Sequence, residues 1–217
     1  MQIVLLGVPG AGKGTQAHRL ADRFDLELIA TGDIFRWNVI KRTDLGTLAT
    51  KYMKAGELVP DDVVVQMVVE ALDRTPNGFI LDGFPRTTGQ AEALERELLE
   101  RDRPLSVALA FDLPDEVAVK RLAGRRTCSS CQRSYNVEFE PPAVEGVCDV
   151  CGGELVHRDD DAESTVRRRI EVYYESTAPL RAFYEQRGLL RVIDAEGSED
   201  EVTDRSVDAL ADLTALA

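Results

Sequence analysis

Gly7-Val8-Pro9-Gly10-Ala11-Gly12-Lys13-Gly14-Thr15 stands between an apolar run, Gln2 to Leu6, and a stretch where Ala17, Leu20, Ala21 and Phe24 recur at helical spacing. The order strand, glycine-rich turn, helix aims successive backbone N–H groups and a helix N-terminus at one point, which is what a phosphate needs. Gly, four residues, then Gly-Lys is the spacing of the nucleotide-binding P-loop, with Gly14 where Ser or Thr usually follows the lysine and Thr15 one place later. Lys13 would reach the β and γ phosphates as a mobile point charge.

Outward from this loop, short apolar runs recur at Leu26 to Ala30, Gly78 to Leu81, Leu105 to Phe111 and Leu189 to Ile193. Helix-like stretches lie between them, notably Asp61 to Asp73 and Gly89 to Asp102. Alternation of this kind predicts parallel strands joined by helical crossovers, an α/β sheet covered on both faces. Ligands of such sheets gather at the carboxyl ends of the strands. Two stretches interrupt the alternation: Thr31 to Asp62 has helical patterns without a strand, and Gly124 to Asp161 loses helical periodicity. Both read as excursions from the sheet. Ala162 to Arg187 resumes as a long helix, broken or kinked near Pro179, and Val202, Val207, Leu210 and Leu213 share one face of a terminal helix.

Of 217 residues, 44% are apolar and 30% charged, the composition of a globular chain with material for one main core. No apolar run approaches the roughly 18 residues of a membrane span, and the first residues lack a basic n-region. The expectation is a cytoplasmic protein with no membrane partner. With 39 acidic against 26 basic side chains the net charge is -13, which repels nucleic acid, so any bound phosphate must meet a local cluster of Arg and Lys.

Cys128 and Cys131 are followed after sixteen residues by Cys148 and Cys151. Two C-x-x-C pairs at this spacing match a four-thiolate zinc ribbon, whose closed tetrahedron leaves no open position for catalysis. His157 raises a Cys-His alternative, but four thiolates already fill the shell.

GVPGAGKGTQ, TGDIFR at Thr31 to Arg36, DGFPRT at Asp82 to Thr87 and VRRR at Val166 to Arg169 together resemble the adenylate kinase family over essentially the whole chain. The cysteine-bearing insertion is similar to the long zinc-carrying lid of one bacterial subgroup. The resemblance implies a P-loop core of residues 1–30, 60–123 and 162–217, an AMP-binding helical insertion at 31–59, and a lid at 124–161. It places ATP on Gly10, Ala11, Gly12, Lys13, Gly14 and Thr15, with Arg125, Ser134, Tyr135 and the carbonyl of Gly197. It places AMP on Thr31, Arg36, Glu57, Leu58, Val59, Gly83, Phe84, Pro85, Arg86 and Gln90, with Arg158 and Arg169 shared with the transferring group. Asp82 would hold magnesium through its water shell. The resemblance is what assigns Gln90, whose side chain carries an acceptor and donors that suit the Watson–Crick edge of adenine; by itself it would read equally as an exposed glutamine opening a helix. Arg126, Arg167 and Arg168 read as surface or ion-pair residues.

The implied reaction is transfer of the terminal phosphoryl group of ATP to AMP, giving two ADP, by a protein that acts as a monomer. Lys13, Arg86, Arg125, Arg158 and Arg169 are the expected catalytic cations; with Arg36 and magnesium they would offset a nucleotide charge of about -6. A UMP or CMP acceptor, or a GTP donor, would use the same loop and arginines. A different class, a P-loop ATPase carrying a nucleic-acid-binding ribbon, meets an obstacle: residues 124–161 hold four Arg, no Lys and eight Asp or Glu, the wrong sign for a phosphate backbone.

Overall fold

Residues 1–214 are described by a computed structural model. Gln2–Gly7 (β1), Glu27–Ala30 (β2), Phe79–Asp82 (β3), Val107–Asp112 (β4) and the later Leu190–Asp194 are parallel strands of one sheet. With Arg125–Cys128 (β5), Ser134–Asn136 (β6) and Leu155–Val156 (β7) intervening, Leu190–Asp194 is β8, and the sheet order is β2-β3-β1-β4-β8. The chain works outward from β1 to β2 on one side, fills in β3, and then crosses β1 to β4. The switch in direction opens a crevice at the carboxyl end of β1, where the glycine-rich loop leaves the sheet.

The apolar runs are unbroken because both sheet faces are covered. Val4 and Leu6 of β1 pack with Asp61–Leu72 (α4) and Thr88–Glu100 (α5), burying Val64, Val68, Leu72, Leu94 and Leu98. Ile3 and Leu5 point the other way, onto Ala17, Leu20 and Ala21 of Lys13–Phe24 (α1) and onto Val202 of the helix Glu199–Asp208. The expected strands are therefore present within a residue or two of their predicted ends.

Thr31–Lys41 (α2) and Asp44–Ala55 (α3) form a helical pair with no strand, as the first interruption predicts. In the second, β5 pairs antiparallel with β6 and β7 around a small cluster of Cys128, Tyr135, Cys148 and Leu155. The predicted long helix after the lid is Glu163–Val172, a π-helical segment Tyr173–Thr177, and Leu180–Glu185. Its break comes just before Pro179, where Ala178 N–H reaches back five residues to the Tyr173 carbonyl at 2.8 Å. The expected terminal helix is broken into Glu199–Asp208 and a short Ala211–Thr214, and Leu210 at the break is fully buried in the same cluster as Val202.

Candidate functional site

The loop after β1 depends on glycine where the chain comes closest to its neighbours. Gly10 has φ +92°, and a Cβ there would lie 2.7 Å from the Ala118 carbonyl oxygen. Gly12, at φ +83°, precedes α1 and leaves its N-terminus uncapped by any side chain. Lys13 opens the helix and folds back, donating from Nζ to the carbonyls of Gly7 at 2.7 Å and Val8 at 2.9 Å. Burial pushes its pKa down to about 8, against the pull of Asp82, with Arg86, Arg169 and Arg125 adding repulsion. Asp82 ends β3 alongside, its Oδ2 3.4 Å from where a Cβ on Gly14 would sit.

A cavity opens beside this loop, lined by Thr31, Arg36, Glu57, Leu58, Val59, Gly83, Arg86, Gln90 and Arg169, with Asp160 reaching in from the end of the lid. Thr31 follows β2 and donates to the Gly83 carbonyl at 3.0 Å, joining the first excursion to the end of β3. Arg86 is held by its own turn, Nε donating to the Gly83 carbonyl at 2.8 Å, and its carbonyl accepts from Thr177 at 2.8 Å. Phe84 is 1% exposed and belongs to the core, so it can serve the cavity only through its backbone. Glu57 spends its side chain on Arg168, at 2.8 Å.

Six of the cations expected at the site form one electrostatic neighbourhood. Lys13 feels Arg86, Arg125 and Arg169; Arg86 feels Arg36; and Arg158 feels Arg125 and Arg36. Burial, then repulsion from Arg125 and Arg36, pushes the Arg158 guanidinium down to about 9. Burial also brings Arg169 to about 10, against the attraction of Asp160. Four carboxylates answer them: Asp82, Asp160 and Asp161, and Asp33, which is ion-paired with Arg36. Asp160 is held below the usual carboxylate range because Arg169, Arg125, Arg158 and Arg36 outweigh its burial. The balance remains positive, and among the described residues the buried Nε atoms of Arg36 and Arg158 have no hydrogen-bond partner. A desolvated excess of guanidinium with unspent donors is chemically a receptor for phosphate oxygens.

Asp160 and Asp161 escape a reading of the sequence because an Asp-Asp-Asp run normally marks a solvated turn. Their sequence signal is their position two and three places after Arg158. Asp61 is likewise silent in sequence, yet it holds Gln90 and Thr87 in the structure. Arg126, Arg167 and Arg168 occupy surface contacts, the last two in ion pairs with Glu163 and with Glu57 and Glu171.

The lid residues expected near ATP divide. Ser134 lies on β6 and is half-buried, whereas Tyr135 points into the lid core, 5% exposed, its hydroxyl 3.5 Å from Cys148 Sγ and accepting from Asp149 N–H at 2.9 Å. Tyr135 can therefore offer a nucleotide backbone atoms only. The Gly197 carbonyl accepts from Arg121 at 3.4 Å, and neither residue lines the cavity.

All four cysteine sulfurs lie within 4.8 Å of one another, with Cys128 to Cys151 at 3.4 Å and Cys131 to Cys148 at 3.6 Å. Neither distance is a disulfide. A zinc tetrahedron with bonds of about 2.3 Å separates its sulfurs by roughly 3.8 Å, so the donor set fits a metal ion. Backbone N–H groups of Ser130 and Cys131 approach Cys128 Sγ at 3.4 and 3.5 Å, as thiolates require.

A parallel sheet with a phosphate loop at its switch point, a second cationic cavity beside that loop and a cysteine-clasped insertion defines a P-loop kinase of the nucleoside monophosphate type. Comparison with known sequences narrows this. A family model for adenylate kinase matches residues 5–189. An adenylate kinase of Acidothermus cellulolyticus is 52% identical over 97% of this chain and 98% of its own length. One from Thermodesulfovibrio yellowstonii is 52% identical over 93% and 95%, and one from Streptomyces coelicolor 49% identical over 97% and 98%. The chain belongs to the adenylate kinase family.

Proposed function

We propose that the protein catalyses reversible transfer of the terminal phosphoryl group of MgATP to AMP, giving two ADP, and so maintains the balance of adenine nucleotides. The observation that carries this reading is the convergence of Lys13, Arg36, Arg86, Arg125, Arg158 and Arg169 on one cleft where cations outnumber carboxylates. The acceptor oxygen of AMP is already anionic near neutral pH, so no general base is required. The barrier lies in bringing two anions into line, which makes positioning and charge neutralisation the catalytic devices.

In this reading the N–H groups of Gly10 to Thr15 hold the ATP phosphates, and Lys13 exchanges its two loop carbonyls for the β and γ oxygens. Arg86 and Arg36 hold the AMP phosphate; Arg125, Arg158 and Arg169 neutralise the group in transit. Asp82 is the carboxylate that would anchor magnesium through water, the ion supplying charge at the β and γ phosphates. Residues 124–161 act as a lid that excludes water, a closure for which adenylate kinases are a standing example. Residues 31–59 form the AMP-binding insertion on a core made of the rest. Zinc on Cys128, Cys131, Cys148 and Cys151 serves structure alone. No described helix is long and apolar enough to cross a membrane, and a cytoplasmic monomer suits this role.

A coupled assay of ADP formation with MgATP against AMP, UMP, CMP and GMP in turn tests the proposal. AMP should be the preferred acceptor by orders of magnitude. Comparable turnover with UMP or CMP would assign the protein to a sibling specificity, and hydrolysis of ATP without an acceptor would reject the transferase.

A further inference from the structure

Gln90 is 2% exposed, and its side-chain amide is tied at both ends. Its Oε1 accepts from the backbone N–H of Arg86 at 2.7 Å, and its Nε2 donates to Asp61 Oδ1 at 2.6 Å. The partners themselves determine which end is oxygen: a backbone N–H only donates and a carboxylate only accepts. Asp61 is fixed in turn. It is the first residue of α4, and its other oxygen accepts at 2.6 Å from the hydroxyl of Thr87, the residue that caps α5 by accepting from Gln90 N–H at 3.1 Å.

A primary amide has two N–H donors and two oxygen lone pairs, so this clamp leaves one of each for whatever occupies the cavity that Gln90 lines with Thr31, Arg36 and Arg86. A 6-amino purine offers a donor at N6 and an acceptor at N1, which complements a fixed oxygen beside a fixed N–H. A 6-oxo purine offers the reverse, an acceptor at O6 and a donor at N1. It could be read only if the amide turned over by 180°, which would set Oε1 against the Asp61 carboxylate and the NH2 group against Arg86 N–H.

We propose that Asp61 is the specificity-determining residue of the acceptor cavity, a positioning residue that locks the Gln90 amide in the orientation that accepts a 6-amino purine and rejects a 6-oxo purine. This rests on the reading of Gln90 as the residue that faces the acceptor base. Asp61→Asn removes the half of the lock that the carboxylate supplies, because an asparagine amide can donate to a turned Gln90 oxygen as well as accept from an unturned Gln90 nitrogen, while the half supplied by the Arg86 N–H stays in place.

The test is kcat/KM for AMP and for inosine 5′-monophosphate, which differ in the 6-substituent and N1 proton alone, at saturating MgATP. The wild-type protein should favour AMP strongly. In Asp61→Asn the AMP to inosine monophosphate ratio should fall by about tenfold or more, with KM for AMP rising and KM for inosine monophosphate falling, while kcat with AMP moves far less. A variant that keeps the wild-type ratio, or that loses both acceptors equally, overturns the proposal. Should Asp61→Asn fail to fold, Asp61→Ser is measured against the same criterion. Gln90→Ala separates the two levels of the argument. If it erases the preference and Asp61→Asn does not, the role of Asp61 alone is wrong; if Gln90→Ala keeps the preference, Gln90 does not face the base and both readings fall.

Discussion

Asp161 closes the base of the lid by holding Arg125: the carboxylate, with no exposed side-chain surface, accepts from Arg125 Nε at 2.7 Å across 36 residues of sequence. Arg125 begins β5 where the insertion starts, and Asp161 stands where it ends. The pair therefore fixes the stem of the lid and, at the same time, orients a guanidinium that is expected to meet phosphate. Asp161 also lies 3.5 Å from Arg169 Nη1, so one buried carboxylate serves two of the cationic residues.

Replacing Asp161 by Asn should leave Arg125 with a neutral partner in a largely desolvated place. Breaking such a pair costs about 3–5 kcal/mol when both groups are buried, and the 20% exposure of Arg125 puts the expectation at about 2–3 kcal/mol. For a chain of this length that lowers the melting temperature by roughly 5–10 °C. Differential scanning calorimetry checks it, and hydrogen exchange at Thr127 should quicken alongside. An unchanged melting curve would mean that the lid stem is held by other contacts.

Lys13 couples the phosphate loop to pH. Its folded pKa of about 8 lies below the ordinary lysine value, so between about pH 8 and 10.5 the unfolded chain holds a proton that the folded chain has released. Stability attributable to Lys13 is thus lowest below pH 8 and rises as pH climbs through that window. Lys13→Met lacks the rise. The variant should be the more stable of the two at pH 7, with the difference shrinking by pH 9.5, and its kcat should be lower by orders of magnitude at both. Near wild-type turnover would remove Lys13 from the mechanism.

The strands and the phosphate loop are legible in the sequence because both kinds of pattern are local. Ile3 to Leu6 are unbroken apolar residues since α1 and α4 cover opposite faces, and the loop needs only its own glycines. The lid is less legible: β5, β6 and β7 are 4, 3 and 2 residues long and are organised around the cysteine cluster rather than by alternation. Tyr135 is a nucleotide contact only by the family resemblance, and the lid core takes its ring. Asp61, Asp160 and Asp161 carry no signal of their own, because an aspartate looks solvated until folding brings it to Gln90, Arg169 or Arg125.

Arg86→Ala should separate the two nucleotides. Arg86 lines the cavity assigned to AMP and is held from the Gly83 turn, not from the phosphate loop. KM for AMP should rise at least tenfold, the cost of one charge-assisted contact, while equilibrium binding of ATP alone shifts by less than about threefold. Isothermal titration with ATP and steady-state kinetics with AMP give the comparison. Equal losses for both would mean that the pockets are assigned the wrong way round.

Removal of metal from the lid distinguishes a clasp from a catalyst. Four thiolates complete a zinc tetrahedron, so the ion has no free position for a phosphate oxygen, but it can hold together an insertion whose own core is only Cys128, Tyr135, Cys148 and Leu155. A chelator, or Cys148→Ser, should lower the melting temperature and loosen Thr127 to His157. Phosphoryl transfer should persist below the unfolding transition, slowed as the lid closes less completely over the cleft. Bound zinc, melting temperature and turnover must be measured on one metal-free sample. Activity that vanishes while the melting curve stays put, and returns when zinc is added, would place the metal in the reaction itself.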